Sequence, residues 1–449
     1  MRNFININKF ILAILLELCL MSSPINAMNY NNSSEEDIQN IGEDELHDEI
    51  NDYIWEIFKS SGDLNCISKL LANDKIFMSL DFVIIEPIFL YACKKGNVEF
   101  LKLCLKKGIL ERDSTTKYFL VNYFKEAIDN GHLNIVDILI NDNFIESLIE
   151  QNEKISSELL LLAAEKDCLQ LFEKNLFRNN QAIQEKINFI LFIVSRNRSI
   201  NVLHFLLNNS CSNFITEDGA SDAIWVASRR GYKDILNLLL GNIKITSLIN
   251  EQIATNILSA AFDTEHYNIV LWLLCKDEIK KFINDNLANF IFIWACDNSK
   301  KEILNLMIIN FAVVINRETQ KKAYRIGISK AENFNNLEII KILFENFIQE
   351  ETELNEIFLL LCNNLHPKTL KILLDMYANR INEETLETIF RRIITSAAEL
   401  SQNNEHREIV NILFNNPTIR SKLNLDSMLH WTQEVELQDT LIKILPREE

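Results

Sequence analysis

A ten-residue phrase recurs along this chain. "GHLNIVDILI" at 131–140 returns about a hundred residues later as "GYKDILNLLL" at 231–240. In each copy apolar residues recur at i, i+1, i+4 and i+5, so they form a single stripe on a helix that needs a neighbour. About eleven copies follow one another at a mean spacing of roughly 34 residues, a period typical of stacked helical repeats. Their first apolar positions are Cys66, Phe100, Ile135, Leu171, Val202, Ile235, Ile269, Ile303, Ile339, Thr369 and Ile409.

A second pattern lies upstream of each phrase and predicts another helix and a turn. In seven copies a small residue lies eight positions before the first apolar position: Ala92, Ala127, Ala163, Ala227, Ala261, Ala295 and Ala331. We predict the turn four residues before the first apolar position, where a positive φ favours glycine. The turn residues are Gly62, Gly96, Gly131 and Gly231, and elsewhere Asp167, Glu265, Ser299 and Asn335.

The phrases "YACKKGNVEFLKLCLKKG", "EAIDNGHLNIVDILI", "WVASRRGYKDILNLLLGN" and "AAFDTEHYNIVLWLLC" resemble ankyrin repeats. The resemblance covers nearly all of the chain after about residue 50, although no copy has the Thr-Pro-Leu-His opening of that family. It implies an all-α solenoid of about eleven helix-turn-helix repeats with helical caps. It also implies partner binding along the concave side. A tetratricopeptide array fits less well because only 5 prolines are present, and a generic α-solenoid is the remaining alternative.

Composition agrees with a folded helical chain. The sequence is 48% hydrophobic and 24% charged, with only 9 glycines among 449 residues, which argues against disorder and against turn-rich β folds. The formal charge of -18 repels phosphate backbones and anionic lipid, so nucleic acid and membranes are poor candidate partners. The ankyrin resemblance implies a protein partner, and we expect a monomeric chain.

The first 27 residues predict a secretory signal. Arg2 and Lys9 precede an apolar run at 10–16, and Ala27 offers a small residue for cleavage. The run is shorter than the roughly 20 residues that a membrane span needs, and the remaining chain has no uninterrupted apolar stretch of that length. We predict a signal peptide at 1–27, an acidic linker and N-terminal cap at 28–50, the repeat solenoid at 51–416 and a helical cap at 417–449.

The nine cysteines and seven histidines follow the repeat register. No Cys-x-x-Cys pair occurs, so we predict small buried side chains at Cys93, Cys296 and Cys362 in place of zinc ligands or disulfides. The register puts four histidines beside the turns, where the resemblance implies hydrogen bonding across the turn: His132, His266, His366 and His406. They belong to different repeats and cannot converge on one metal ion.

The sequence carries no phosphate loop, nucleophile elbow, His-Glu-x-x-His or paired-carboxylate signature. We therefore predict a chain that is not an enzyme and has no cofactor and no metal. An unrecognised site in the degenerate segment 315–400 is the alternative.

The candidate partner-binding residues are an aromatic residue and four cations near the predicted turns. "AIWVASRRGY" supplies Trp225, Arg229 and Arg230, and "ACKKGN" supplies Lys94 and Lys95 at the positions of the two arginines. Trp and Arg are frequent energetic anchors of interfaces, and the shared positions predict a basic stripe. Alternatively, Trp225 packs on the neighbouring repeat and the arginines pair with surface acids.

A signal peptide followed by interaction repeats predicts a non-catalytic, exported protein-interaction module. One hypothesis is a secreted effector by which an intracellular bacterium engages host proteins. The alternative is a periplasmic or envelope scaffold that organises the producer's own proteins.

Overall fold

The computed structural model describes residues 43–178, 180–330, 334–348, 351–363, 367–399 and 404–423, together with 430 and 433. Over this part of the chain it is all-helical, with 27 α-helices and no strand. The predicted signal peptide at 1–27, the first fifteen residues of the predicted linker and nearly all of the cap after 423 lie outside the described residues. The predicted boundary at residue 50 falls inside the first helix.

The chain divides into two compact units, Met1–Ile249 and Asn250–Glu449. The helices of the first unit are α1 (Glu43–Ser61), α2 (Leu64–Leu71), α3 (Asp74–Met78), α4 (Phe82–Lys95), α5 (Val98–Lys106), α6 (Thr116–Asp129), α7 (Leu133–Ile140), α8 (Asn143–Gln151), α9 (Glu153–Glu165), α10 (Leu169–Arg178), α11 (Asn180–Asn197), α12 (Ile200–Asn208), α13 (Glu217–Arg230), α14 (Lys233–Gly241) and α15 (Ile243–Ser247). Short 3-10 turns lie at Ile109–Glu111 and Ser210–Phe214.

The second unit continues the same alternation of long helices. It contains α16 (Glu251–Asp263), α17 (Tyr267–Leu274), α18 (Asp277–Lys280), α19 (Asp285–Asp297), α20 (Lys301–Phe311), α21 (Arg317–Ser329), α22 (Phe334–Phe347), α23 (Glu351–Asn363), α24 (Pro367–Tyr377), α25 (Glu383–Glu399), α26 (Asn404–Asn415) and α27 (Pro417–Lys422), with a 3-10 turn at Ala378–Arg380. Each predicted phrase therefore lies on the second helix of a pair, and short helices or turns link most pairs.

The stripe of the repeated phrase forms the core. All eleven first apolar positions are buried, from Cys66 at 8% exposure to Phe100, Ile135 and Ile409 at 0%. The first helices of successive pairs pack on one another in each unit: α4, α6, α9, α11 and α13 in the first, and α19, α21, α23 and α25 in the second. The predicted helical register is confirmed at these positions.

Eight of the pairs turn through a residue in the left-handed region. Its φ is positive at Gly62, Gly96, Gly131, Asp167, Arg198, Gly231, Glu265 and Ser299. In six of these pairs the N–H one residue later donates back to the carbonyl of the buried alanine, as in His132 to Ala127 (2.8 Å) and Tyr232 to Ala227 (3.0 Å). After Arg198 the Ser199 N–H donates to the Val194 carbonyl instead, at 2.9 Å. This 6→1 bond closes a Schellman-type cap. The predicted turns are confirmed at all seven of these positions that were predicted, and Arg198 is an eighth that was not.

The predicted register fails in one pair. Asn335 was predicted at a turn but lies inside α22, and Ala331 lies outside the described residues, beyond the end of α21. Gly327 takes the buried small-residue position, where an added Cβ would come within 3.1 Å of Ile340 Cγ1. Gly327 precedes Ile339 by twelve residues, whereas the alanines precede their anchors by eight. Four extra residues, about one helical turn, therefore displace the predicted alignment.

Asparagine side chains fix where many of the helices begin. They accept a hydrogen bond from a backbone N–H in the first turn at Asn97, Asn152, Asn242, Asn250, Asn284, Asn316 and Asn416, as favourable N-caps do. Another three asparagines reach from one first helix to the start of the next. Asn51, Asn188 and Asn289 accept from the backbone N–H of Asp81, Thr216 and Asn316, at 3.0, 3.1 and 3.2 Å.

Candidate protein-interaction surface

Trp225 lies on the outward side of α13, the helix that ends at the Gly231 turn. It is half-buried, whereas Arg229 and Arg230 are exposed. One helical turn separates Trp225 from Arg229, which places the two side chains on one face. The Arg229 guanidinium carbon lies 5.1 Å from the centroid of the Trp225 ring, a cation–π contact worth about 0.5–1 kcal/mol at exposed sites.

The adjacent helix α11 carries the same residue types at the equivalent positions. Counted back from the turn residues Arg198 and Gly231, Phe192 corresponds to Trp225 and Arg196 corresponds to Arg229. Phe192 is half-buried, Arg196 is exposed, and Phe189 one turn earlier is 53% exposed. We call the set Phe189, Phe192, Arg196, Trp225, Arg229 and Arg230 the aromatic–arginine surface.

Close packing holds α11 and α13 side by side. Gly219 on α13 faces Asn188 on α11 so closely that an added Cβ would overlap the Asn188 side chain. The same Asn188 side chain accepts from the backbone N–H of Thr216, the N-cap residue of α13. Interhelical distances of about 8–10 Å are usual for packed helices, so the two aromatic–arginine rows run beside each other.

The cations of the surface differ in how they are engaged. No ion pair joins Arg229 or Arg230 to a carboxylate within the part of the chain that the structure describes. Arg198 at the turn is engaged, because its Nε lies 2.8 Å from Asp234 Oδ2 and its guanidinium lies over the Tyr232 ring. The interpretation in which surface acids pair with Arg229 and Arg230 therefore lacks support among these residues.

Lys94 and Lys95 lie in the last turn of α4 and are both exposed. Lys95 Nζ lies 5.5 Å from the centroid of the Tyr91 ring. They do not join the arginines into the predicted basic stripe. Asp129 and Glu165 occupy the equivalent position in the intervening pairs, and Asp129 Oδ1 pairs with Lys166 Nζ at 2.6 Å. Carboxylates thus interrupt the stripe, and the lysines lie apart from the aromatic–arginine surface.

The histidines and cysteines singled out in the sequence can be placed where the structure describes them. His132 Nε2 donates to the Lys94 carbonyl at 3.0 Å, linking its turn to the preceding one. His266 is the N-cap residue of α17, and neither side chain of His366 and His406 lies in the described part. Cys93, Cys296 and Cys362 are buried, and burial raises the pKa of their thiols. No group of three or more His, Cys, Asp or Glu residues that could hold a metal ion occurs among the described residues.

Sequence reasoning missed Phe189, Phe192 and Arg196. The signal was present, because Phe192 and Arg196 stand at the same repeat positions as Trp225 and Arg229. Applying the register to α11 would have identified these two residues, but not Phe189, because Asp222 stands at the equivalent position in α13.

Among the described helices, none is both long enough and apolar enough to cross a membrane. Compared with known proteins, the chain matches no family model, no curated protein and no solved structure.

Proposed function

We propose that this chain is a non-catalytic protein-interaction module whose partner binds the aromatic–arginine surface. The observation that carries the proposal is that a partly exposed aromatic side chain precedes an exposed arginine by one helical turn on each of two adjacent helices. Interfaces are enriched in aromatic residues and arginine, and a few such residues supply most of the binding energy. A tryptophan left half-exposed beside a cation also has apolar area that a partner can bury.

We further propose that the helix pairs belong to an ankyrin-like solenoid. Supporting this are the eleven buried anchor positions and the left-handed turns at intervals of 31–36 residues. In such an array each pair contacts only its neighbours, and residues that vary between pairs give the exposed face its specificity. The aromatic–arginine surface is variable in this sense, since Ser259 and Asp263 stand at the equivalent positions in α16.

We place the protein outside its producer, as an exported effector that engages host proteins. The signal-like segment at 1–27 motivates this placement. A fusion of residues 1–30 to a reporter tests it directly, since a reporter retained in the cytoplasm would remove the premise.

Paired affinity capture tests the surface. Residues 31–449 serve as bait against a lysate of the producer and a lysate of eukaryotic cells. The test variant is Trp225→Ala/Arg229→Glu/Arg230→Glu. A matched control, Lys102→Glu/Lys106→Glu, makes the same change of charge at two exposed positions on α5.

The proposal expects host proteins that are captured by the wild type and the control and lost in the test variant. Capture of producer envelope proteins alone would contradict the effector hypothesis and favour a scaffold in the envelope of the producer. Capture that survives the test variant would show that the partner uses another surface.

A further inference from the structure

A single asparagine–glycine step occurs in the whole sequence, at Asn130–Gly131. It forms the turn between α6 and α7, and both residues are exposed. Asparagine is among the chemically labile residues of proteins. When glycine follows it, the backbone nitrogen of the glycine can attack the side-chain carbonyl carbon, because the attacking residue has no side chain that hinders the approach. The step is therefore a candidate site of spontaneous covalent modification.

The reaction at this step needs no partner other than water. The Gly131 nitrogen bonds to Cγ of Asn130 as the bond from Cγ to Nδ2 breaks, and Nδ2 leaves as ammonia with the proton that the Gly131 nitrogen gives up. The product is a five-membered cyclic imide. Water then opens the imide at one of its two carbonyl carbons. Opening at the backbone carbonyl of residue 130 leaves isoaspartate, in which the chain runs through the side chain, and opening at Cγ leaves aspartate.

The native turn opposes the attack. The Gly131 N–H donates to the Ile128 carbonyl at 2.9 Å, and the Asn130 side-chain amide donates to the Glu126 carbonyl at 2.8 Å. The ψ of Asn130 is 5°, so the Gly131 nitrogen nearly eclipses the backbone nitrogen of Asn130 and is turned away from Cγ. Both hydrogen bonds must break and ψ must rotate before the two atoms meet. The reaction therefore requires the turn to open.

The outer side of the turn offers little resistance to opening. Apart from its chain neighbours, no atom of the described residues lies within 4 Å of the place that a Cβ on Gly131 would take. At the Gly96 turn, by contrast, the His132 ring fills that place. Exposed segments with few packed neighbours open at low free energy. Once the turn is open, no neighbouring side chain blocks formation of the imide.

Either product of the reaction changes how the turn is held. A carboxylate at position 130 replaces the amide that donates to Glu126, and it stands four residues after Glu126, a spacing at which like charges repel. Isoaspartate also adds a carbon atom to the backbone of the turn. The native length of the turn places the His132 N–H 2.8 Å from the Ala127 carbonyl and the His132 ring 3.0 Å from the Lys94 carbonyl. The longer backbone disturbs both contacts.

We propose that Asn130–Gly131 is a modification site that converts to isoaspartate when its turn opens, and that the modified turn loses the His132 contact with the Gly96 turn. Spontaneous hydrolysis does not regenerate the asparagine, so the modification accumulates in molecules whose turn has opened. The site is independent of the aromatic–arginine surface and does not rest on the function proposed for it.

Peptide mapping by mass spectrometry tests the proposal with the full chain. The protein is incubated at neutral pH in buffer and in denaturing urea, and isoaspartate and aspartate at position 130 are quantified over time. Asn298 is the internal control. It follows α19 with a ψ of 9°, and its side chain donates to the Trp294 carbonyl at 3.0 Å, but the next residue is Ser299. In urea, modification should be several-fold faster at position 130 than at Asn298, and in buffer it should be slow at both.

Three variants separate opening of the turn from the chemistry of attack. His132→Ala should speed modification in buffer about fivefold, the factor that corresponds to one lost hydrogen bond of about 1 kcal/mol, and should leave the rate in urea unchanged. Gly131→Ala strains the turn at its positive φ, yet it should slow modification because the added side chain hinders attack. Asn130→Gln cannot close the five-membered imide and should stay unmodified.

Equal rates in buffer and in urea would show that the turn does not control the reaction, and a lack of isoaspartate in urea would remove the site. Faster modification of Gly131→Ala than of the wild type in urea would contradict attack by the Gly131 nitrogen. Deuterium uptake at the His132 amide tests the consequence. It should be faster in protein enriched in isoaspartate than in unmodified protein, and equal uptake would overturn the proposed loss of the contact.

Discussion

The turns at Gly96 and Asp167 have the same backbone shape and connect to their neighbours in opposite ways. Both are left-handed, with φ of 70° and 56°. At Gly96 the absence of a side chain makes room for His132, whose Nδ1 would lie 2.6 Å from an added Cβ. At Asp167 the side chain reaches outward, and its carboxylate accepts from the backbone N–H groups of Asn201 (3.2 Å) and Val202 (2.9 Å).

The comparison shows that these left-handed turns form with or without glycine. A left-handed residue other than glycine costs about 1–2 kcal/mol, and two hydrogen bonds to a carboxylate offset a cost of that size. The buried positions on either side of the turn are common to both, so packing of the helix pair sets the turn. The residue at the turn then decides how one pair holds the next.

If packing sets the turns, the largest loss of stability should come from substitutions in the core. Leu139→Ala and Leu239→Ala truncate fully buried side chains, and each should lower the free energy of unfolding by about 2–5 kcal/mol. Urea denaturation measures the loss. Leu133→Ala, at a position that is 46% exposed, is the control and should change stability little. Unchanged stability in both core variants would show that the helical register is wrong.

The next-largest loss of stability distinguishes two reasons for glycine at a turn. One is space for a neighbouring side chain, and the other is a positive φ. Gly131 has a φ of 76° with nothing within 4 Å of an added Cβ, whereas Gly96 faces His132. Gly131→Ala should cost about 1 kcal/mol. Gly96→Ala should cost about 2–3 kcal/mol, because the His132 ring must also move.

A double-mutant cycle isolates that second contribution. In a His132→Ala background, Gly96→Ala should cost no more than Gly131→Ala. An undiminished cost would mean that His132 and Gly96 are not coupled.

A smaller effect of opposite sign is expected where a turn has a residue other than glycine. Glu265 is exposed with a φ of 58°, so Glu265→Gly should raise the free energy of unfolding by about 0.5–1 kcal/mol. Asp167→Gly relieves the same strain but removes the bonds to Asn201 and Val202, and its net effect should be near zero or destabilising. Equal stabilisation by both substitutions would show that the Asp167 contacts contribute nothing.

The smallest effect concerns the ion pair that links the Gly131 turn to the next pair. Lys166→Gln removes the contact with Asp129 and should cost at most about 1 kcal/mol, because both side chains are partly exposed. The cost should shrink in 1 M salt, where screening acts over about 3 Å. A cost that persists at high salt would indicate packing of the lysine stem.

The sequence predicts the parts of the fold that recur. Ile135 and its equivalents share one buried environment, and Ala127 and its equivalents share one hydrogen-bonding role, so the register finds them. Arg198 was missed because no local preference marks a left-handed arginine. The displacement at Gly327 was missed because its four additional residues preserve helical periodicity while moving the turn.

The candidate surface was predictable in part. Trp225 and Arg229 stand out by residue type, and the repeat register extends the surface to Phe192 and Arg196. The interruption of the basic stripe by Asp129 depends on which helix lies beside which.

The asparagines that cross between first helices have one more consequence. Amides at helix starts usually exchange their protons with water quickly, because they lack a partner within the helix. Here the amides of Asp81, Thr216 and Asn316 are bound by Asn51, Asn188 and Asn289. Faster deuterium uptake at these amides therefore reports the separation of adjacent helix pairs. Comparing the three amides shows which of these helix pairs separate first.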